Sequence, residues 1–116
     1  MSVAVAEQVD DELWSAIGDP IRRRLLDLLL AEGSGTATSL AAHLPVTRQA
    51  IAKHLAVLER AGLVVATATG REKRYQVAEA RLAVAAAQLS NVGDAWDARL
   101  RRIKRIAEAI QRTRNN

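Results

Sequence analysis

Residues 40–64, LAAHLPVTRQAIAKHLAVLERAGLV, decide the fold. A short helix, which we expect Thr38 to cap, ends before Pro45, because a proline drives the residue before it out of the α region. Thr47 follows a tight turn and can cap the next helix, which we place at about 47–61. Gly62 supplies the left-handed residue on which many helices end. Two short helices joined by such a turn form a helix-turn-helix.

The segment after this motif predicts strands. Residues 63–77, LVVATATGREKRYQV, are rich in β-branched residues that partly alternate with polar ones on either side of Gly70. This pattern predicts a β-hairpin, which forms a wing over about residues 63–78. A helix-turn-helix followed by a hairpin is the order of a winged helix, whose second helix enters the major groove of DNA. The hairpin of such a fold reaches the DNA backbone or the minor groove.

Two further helices are predicted before the motif. A short amphipathic helix over residues 10–17 follows a flexible tail, residues 1–9, and stops at Gly18. Asp19 and Pro20 start a second helix, with Asp19 as its N-cap and Pro20 at the first helical position. The three arginines after Ile21 are placed on its more exposed side. This helix extends to about Ala31.

The C-terminal part is predicted to be helical and to need a partner. Residues 79–89 and 94–112 have helical patterns. They can form either one bent helix or two separate helices. The fold class is therefore mostly α with a small β-hairpin, α-α-α-α-β-β-α(-α), in one domain over residues 10–113. Apolar residues at 3-4 spacing predict dimerisation through the terminal helices. The expected interface residues are Leu13, Trp14, Ile17, Leu89, Val92, Trp96, Leu100, Ile103, Ile106 and Ile110.

Composition excludes several classes of function. The 116 residues contain no cysteine, which excludes thiolate nucleophiles, thiolate-bound metals and thiol redox switches. The sequence has no paired carboxylates in a plausible cleft and no glycine-rich phosphate loop, so we expect no enzyme. Apolar runs are far shorter than the ~20 residues of a transmembrane helix, and no signal peptide is recognisable. We therefore expect a cytoplasmic protein without a membrane partner.

Charge is divided unevenly along the chain. Residues 1–36 carry three basic and seven acidic side chains, whereas residues 37–90 and 91–116 each carry seven basic and three acidic ones. Clustered basic residues are the electrostatic pattern of nucleic-acid binding, although solvated helix faces also carry such charge.

The helix over residues 47–61 is the expected recognition helix, the one that enters the major groove. Its outer face carries candidate DNA contacts. Gln49 can pair with adenine and Lys53 with guanine, and alanines permit close approach. The helix N-terminus favours a phosphate, because its backbone N–H groups are free. For His54, a structural role at the core boundary and a DNA-backbone contact remain open. The expected DNA-binding residues are Thr38, Thr47, Arg48, Gln49, Ala50, Lys53, His54, Arg71, Lys73 and Arg74.

Three segments resemble the ArsR/SmtB family of bacterial winged-helix repressors over about residues 12–110. They are GDPIRRRLLDLL at residues 18–29, the opening segment at residues 40–64, and GREKRYQV at residues 70–77. The resemblance implies a homodimer that represses transcription from a palindromic operator until an effector releases it.

The metal sites of this family are not matched. Metal-sensing members have cysteines in or near the recognition helix, where this sequence has residues such as Ala50, Ile51 and Ala52. Other members use Asp and His pairs in the C-terminal helices, and no histidine follows His54 here. The sequence is similar to a branch without metal, whose last helix carries Trp and Arg, and no cofactor is expected.

Three hypotheses of function follow. The first is a sequence-specific DNA-binding homodimer that represses transcription from an inverted repeat. The second adds an organic effector near Trp14 and Trp96, although packing at a dimer interface also explains both rings. The third is a winged helix that binds a protein. An acidic recognition face would favour it, whereas this face carries Arg48, Lys53 and Arg60.

Overall fold

The structure, a computed structural model, describes residues 11–115, so the tail expected at residues 1–9 lies outside the described part. The described chain forms two compact units. The winged-helix unit comprises residues 11–85 and the C-terminal helical unit comprises residues 86–115.

The order of helices and strands confirms the predicted fold class. The C-terminal region is a single helix over the described residues, which decides between the two alternatives of one helix or two. A short strand that was not predicted precedes the helix-turn-helix. The elements are α1 (Asp11–Gly18), α2 (Pro20–Glu32), β1 (Gly35–Thr36), α3 (Ala37–Ala41), α4 (Arg48–Arg60), β2 (Val64–Thr69), β3 (Glu72–Val77) and α5 (Glu79–Asn115).

The core of the winged-helix unit is built around α4. Ile51, Leu55 and Leu58 recur at helical spacing and are completely buried. The helix packs against α1, α2, α3 and β2. Each fully buried aliphatic side chain contributes about 1.5–3 kcal/mol relative to an exposed one, so this face fixes the rotation of α4. The other buried side chains of the unit are Leu13, Ala16, Leu25, Leu26, Leu29, Leu40, Ala61, Leu63, Val64, Tyr75 and Ala85.

Asp19 and two arginines form the junction between α1 and α2. Asp19 Oδ1 accepts from the backbone N–H groups of Ile21 at 2.7 Å and Arg22 at 3.3 Å, which confirms the predicted N-cap. Arg22 Nε donates to the carbonyl of Ala16 at 2.9 Å, and Arg23 Nη1 donates to that of Ile17 at 2.6 Å. These carbonyls are at the C-terminal end of α1 and have no helical partner of their own. Arg22 is therefore half-buried rather than exposed as expected.

The expectation that Thr38 caps α3 is wrong. Thr36 is the N-cap, and its Oγ1 accepts from the backbone N–H of Ser39 at 3.0 Å. Ser39 Oγ in turn accepts from the backbone N–H of Thr36 at 2.9 Å, which completes a capping box. The helix starts earlier than expected because β1 holds Thr36 in the extended conformation that an N-cap requires.

Both ends of α4 match their sequence signals. Thr47 Oγ1 accepts from the backbone N–H of Ala50 at 3.1 Å, so the predicted cap is confirmed. At the other end, Gly62 adopts a φ of +79°. Its N–H donates to the carbonyl of Glu59 at 2.9 Å, and the N–H of Leu63 donates to that of Leu58 at 3.0 Å. This is a Schellman motif, and it directs the chain into β2.

The wing is the predicted hairpin, extended by a third strand. β2 and β3 pair antiparallel, and the Thr69–Glu72 pair leaves Gly70 and Arg71 as a two-residue loop. Gly70 has a φ of +60°, whereas the φ of Arg71 is not positive, as a type II′ turn requires. β1 pairs with the other edge of β3, where Thr36 lies opposite Arg74. The sheet thus joins the start of α3 to the wing.

The cap at Asp19 makes a testable contribution to stability. Burial alone would raise the pKa of this carboxyl, but the N–H groups of Ile21 and Arg22, with the charges of His54 and Arg22, lower it overall. A lowered folded-state pKa means that the stabilisation is present above the unfolded value of about 3.9 and is lost as the pH falls through the folded value. We expect Asp19→Ala to reduce the free energy of unfolding at neutral pH by about 1 kcal/mol.

Chemical denaturation at several pH values measures this effect. Asp19→Asn retains an acceptor but not the charge, so it should lose less stability than Asp19→Ala and should depend less on acidification. Asp27→Ala is the control, because Asp27 is an exposed carboxylate on the same helix. Equal losses for Asp19→Ala and Asp27→Ala would contradict the proposed role of the cap.

Candidate nucleic-acid interface

The outer face of α4 carries polar side chains that the protein does not use for its own structure. Gln49 and Lys53 are exposed, and within residues 11–115 neither makes a hydrogen bond or an ion pair. Ala52 and Ala56 are exposed on the same helix, so little side-chain bulk separates this face from an approaching surface. Because the opposite face is buried, the helix backbone presents these side chains outward in a fixed direction.

A cleft of about 670 Å³ lies where the starts of α3 and α4 meet the wing. The capped start of α4 forms one wall, and the end of the hairpin with β3 forms another. Six of the ten residues expected to bind DNA line this cleft, namely Thr38, Arg48, Gln49, Arg71, Lys73 and Arg74. The fold therefore brings together residues from three separate segments of the chain.

The basic residues of this face differ in their internal pairing. Arg48, like Arg71 at the turn of the wing, has no ion-pair or hydrogen-bond partner within residues 11–115. Arg74, by contrast, donates from Nη1 to Ser34 Oγ at 3.1 Å, and its Nη2 lies 3.8 Å from Glu72 Oε2. Arg48 and Arg71 are therefore the arginines of this face that can bind a phosphate without breaking an existing contact.

Lys73 is held by the protein itself. Its Nζ lies 3.4 Å from Glu59 Oε1 on α4 and 5.5 Å from the centre of the Tyr75 ring. The electrostatic interaction with Tyr75 and the Glu59 carboxylate raise the pKa of Lys73 above its usual value. The ammonium group thus stays charged and paired well above neutral pH, and the pair connects the wing to the recognition helix.

The remaining expected DNA contacts lie around the start and middle of α4. Thr47 is exposed, but its hydroxyl already caps the helix, and Ala50 is half-buried at the other end of that hydrogen bond. Thr38 is exposed inside α3. His54 is half-buried, and its Nδ1 lies 3.1 Å from Arg22 Nη1, which matches the structural alternative left open for this residue.

Sequence reasoning missed two residues that organise this face. Glu59 binds Lys73, but a single acid near the end of a basic helix gives no signal of its own. Arg22 joins three helices, and here a signal existed. When Asp19 alone separates two helices, an arginine three residues after this N-cap lies over the end of the preceding helix.

The residues expected at a dimer interface fall in both units and differ in exposure. In the winged-helix unit, Leu13 is buried, Ile17 is half-buried and Trp14 is 42% exposed. In the C-terminal helical unit, Val92 is buried and Leu89 is half-buried. Five further side chains form an apolar stripe with 50–57% exposure, namely Trp96, Leu100, Ile103, Ile106 and Ile110. Leu13 and Val92 therefore offer little surface to a partner.

The residues present do not fit a metal centre. No group of three or more His, Cys, Asp or Glu side chains among residues 11–115 is arranged to hold an ion. Soft cations prefer thiolate ligands, and the chain has no cysteine. No helix in the described part of the chain is long and apolar enough to cross a membrane.

The fold and this face define a winged helix-turn-helix DNA-binding protein. Its recognition helix is buried on the inner face, begins at a capped turn and lies beside a basic wing. Comparison with known proteins agrees, since a helix-turn-helix domain family matches residues 17–66. The HTH-type transcriptional regulator CmtR of Mycobacterium tuberculosis is 45% identical over 80 residues, which cover 69% of this chain and 67% of CmtR. The chain belongs to the ArsR/SmtB family of transcriptional regulators, which are not enzymes.

Solved structures support the same conclusion. An ArsR-like transcriptional regulator from Rhodococcus sp. RHA1 superposes with a TM-score of 0.68 at 41% identity, covering 94% of this chain and 98% of that one. The NMR structure of CmtR, described as a cadmium metal-sensor, gives a TM-score of 0.52 at 45% identity over 67% of this chain and 80% of that one.

The Lys73–Glu59 pair leads to a prediction about DNA affinity. Glu59→Gln removes a negative charge beside the recognition helix and frees Lys73 for a phosphate. We expect tighter binding to random duplex DNA, with a plot of log affinity against log salt that is steeper by about one unit. Glu32→Gln makes the same change in net charge on α2, where the carboxylate lies beside His43 and not beside Lys73, and it should have a smaller effect. Equal slopes for the two variants in a salt titration would rule out the release of Lys73.

Proposed function

We propose that this chain acts as a homodimeric repressor that binds an inverted-repeat operator. The observation that carries the proposal is the division of α4 into a buried inner face and an outer face on which the Gln49 and Lys53 side chains have no partner within residues 11–115. A bidentate side chain discriminates between bases only when its backbone is held in a fixed orientation. The buried residues of α4 supply that orientation, and the repressor role follows the resemblance to family repressors.

Base contacts and phosphate contacts are divided between different residues in this proposal. Gln49 and Lys53 contact base edges in the major groove, with Ala52 and Ala56 allowing close approach. Arg48 at the capped start of α4 and Arg71 at the wing turn contact phosphates, because neither guanidinium group has a partner within residues 11–115. Phosphate contacts position a protein on DNA, whereas base contacts select the sequence.

The apolar stripe of the C-terminal helical unit supports the dimer. Five large apolar side chains along one helix face remain about half exposed, and a stripe of this kind is normally covered by another chain. A second copy supplies an identical stripe, so two-fold symmetry pairs the helices without further requirements. Binding to successive major grooves of an inverted repeat requires the two recognition helices of such a dimer to be about 34–36 Å apart.

Metal control has no part in this proposal. CmtR is described as a cadmium sensor, but the thiolates that cadmium favours are absent from this chain. An organic effector near the tryptophans is the alternative mode of control. The Arg99 guanidinium group lies over the Trp96 ring, 4.9 Å from its centre. Packing at the dimer interface explains the position of this ring without an effector.

Footprinting on the DNA upstream of the chain's own gene, with a gel shift and a salt titration, tests this function. We expect protection of an inverted repeat that chelator treatment does not change. Lys53→Ala and Gln49→Ala should each cost about 1–3 kcal/mol at particular base pairs. Arg71→Ala should weaken specific and random DNA alike, because it loses a phosphate contact.

Arg81→Ala is the control for lost charge, since Arg81 lies beside Gly62 at the far end of α4. Equal losses on specific and random DNA for all three variants would contradict the division of roles. Loss of protection after chelation would instead demonstrate a metal site, and binding that does not depend on salt would favour the protein-interaction alternative.

The dimer makes a separate prediction. Ile103→Arg places a charge in the centre of the exposed apolar stripe, so we expect a monomer in analytical ultracentrifugation at concentrations where the wild type is dimeric. Glu108→Arg adds the same side chain to the opposite face of α5 and should leave the dimer intact. A dimer that persists in Ile103→Arg would place the interface elsewhere.

A further inference from the structure

The contact between Arg22 and His54 connects the recognition helix to the rest of the winged-helix unit. Arg22 Nε donates to the Ala16 carbonyl at 2.9 Å, and its Nη2 donates to the Ser15 carbonyl. The remaining Nη1 reaches His54 Nδ1 at 3.1 Å. One guanidinium group from α2 therefore joins the end of α1 to the middle of α4, across 32 residues of sequence.

The chemistry of the two side chains fixes the protonation state of this contact. Arginine has donors only, so His54 Nδ1 must accept, and the imidazole proton must be on Nε2. A protonated imidazole has no lone pair to offer. It would also place a second positive charge 3.1 Å from the guanidinium group. The contact therefore exists only while His54 is neutral.

We propose that Arg22 is a positioning residue for sequence-specific DNA binding, which holds the recognition helix through neutral His54 and releases it when His54 is protonated. His54 directly follows Lys53, the residue that faces outward toward the base edges. Histidine is the side chain whose charge normally changes between about pH 5 and 8, so this range of pH is the one to test. This inference rests on the proposed function.

The Asp19 carboxylate is a further charged group that interacts with the imidazole. The Asp19 carboxylate at the start of α2 interacts electrostatically with both His54 and Arg22, and its own pKa is lowered. It therefore remains ionised at neutral and mildly acidic pH. Further along α4, Arg60 lines a small cavity with Asp11 and Glu12 from α1. A protonated His54 therefore has an electrostatic partner in Asp19 as well as a like charge in Arg22.

The proposal reverses the usual effect of acid on DNA binding. A protein that gains a positive charge near DNA normally binds all sequences more tightly. Loss of the Arg22 contact instead loosens the helix that selects bases, while the phosphate contacts of Arg48 and Arg71 remain. The measured quantity is therefore the ratio of affinities for the protected operator and for a random duplex. We expect this ratio to fall about tenfold between about pH 7.5 and about pH 5.5.

Three variants separate this mechanism from simple charge effects. His54→Asn places an amide oxygen near the position of Nδ1 and cannot be protonated in this range, so its ratio should be high at both pH values. Arg22→Met keeps an unbranched stem without the donors, so its ratio should be low at both. His43→Asn is the matched control, because His43 is the other histidine of the chain and is exposed beside Glu32 at 3.8 Å. It should keep the pH dependence of the wild type.

Hydrogen exchange on the free protein tests the same contact without DNA. After correction for the intrinsic pH dependence of exchange, the amides of α4 should lose protection at the lower pH in the wild type but not in His54→Asn. A pH-independent ratio in the wild type, or a pH-dependent one in His54→Asn, overturns the proposal and leaves the proposed function intact. Loosening of α4 in a protein that protects no DNA sequence overturns the proposed function, and with it the role of Arg22 in DNA binding.

Discussion

The burial of one face of α4 is the constraint on which the rest of the structure depends. Ile51, Leu55 and Leu58 are completely enclosed, and any rotation of the helix would expose them. Because the chain has no phenylalanine and Tyr75 is its single buried aromatic in the described part, this enclosure is built from short aliphatic side chains. Close approach of several helices is then required, and α1, α2 and α3 all contact the same helix.

Electrostatics complements this packing on the outer side. The protein neutralises some of its own cations and leaves others free. Lys73 is paired with Glu59, and Arg74 with Glu72 and Ser34, whereas Arg48, Lys53 and Arg71 have no partner within residues 11–115. Paired cations stiffen the connection between the wing and α4, and unpaired ones remain available for a polyanion. Net charge alone does not distinguish these two groups.

Local signals in the sequence were sufficient to predict most helices and strands but not the contacts between them. Thr47, Gly62 and Asp19 act within a few residues of themselves, so their roles at helix ends could be predicted. The pairing of Gly35 and Thr36 with β3 depends on residues about 40 positions away and gave no periodicity to detect. The same limit bears on the error at Thr38, since Thr36, the actual cap, belongs to β1 and pairs with Arg74.

The candidate site shows the same division. Six of the expected DNA contacts do line one cleft, because winged-helix order already places the start of the recognition helix beside the wing. The internal partners of Lys73 and His54 could not be predicted. Both depend on a side chain from a distant segment, Glu59 for the first and Arg22 for the second.

The placement of the two tryptophans gives the protein an intrinsic optical signal. Trp14 lies in the winged-helix unit and Trp96 in the C-terminal helical unit, and each indole is about half exposed. Indoles in contact with water emit at longer wavelengths and are open to collisional quenchers, and Trp96 has in addition a guanidinium group against its ring. The emission of single-tryptophan variants therefore reports the covering of each unit separately, without an attached dye.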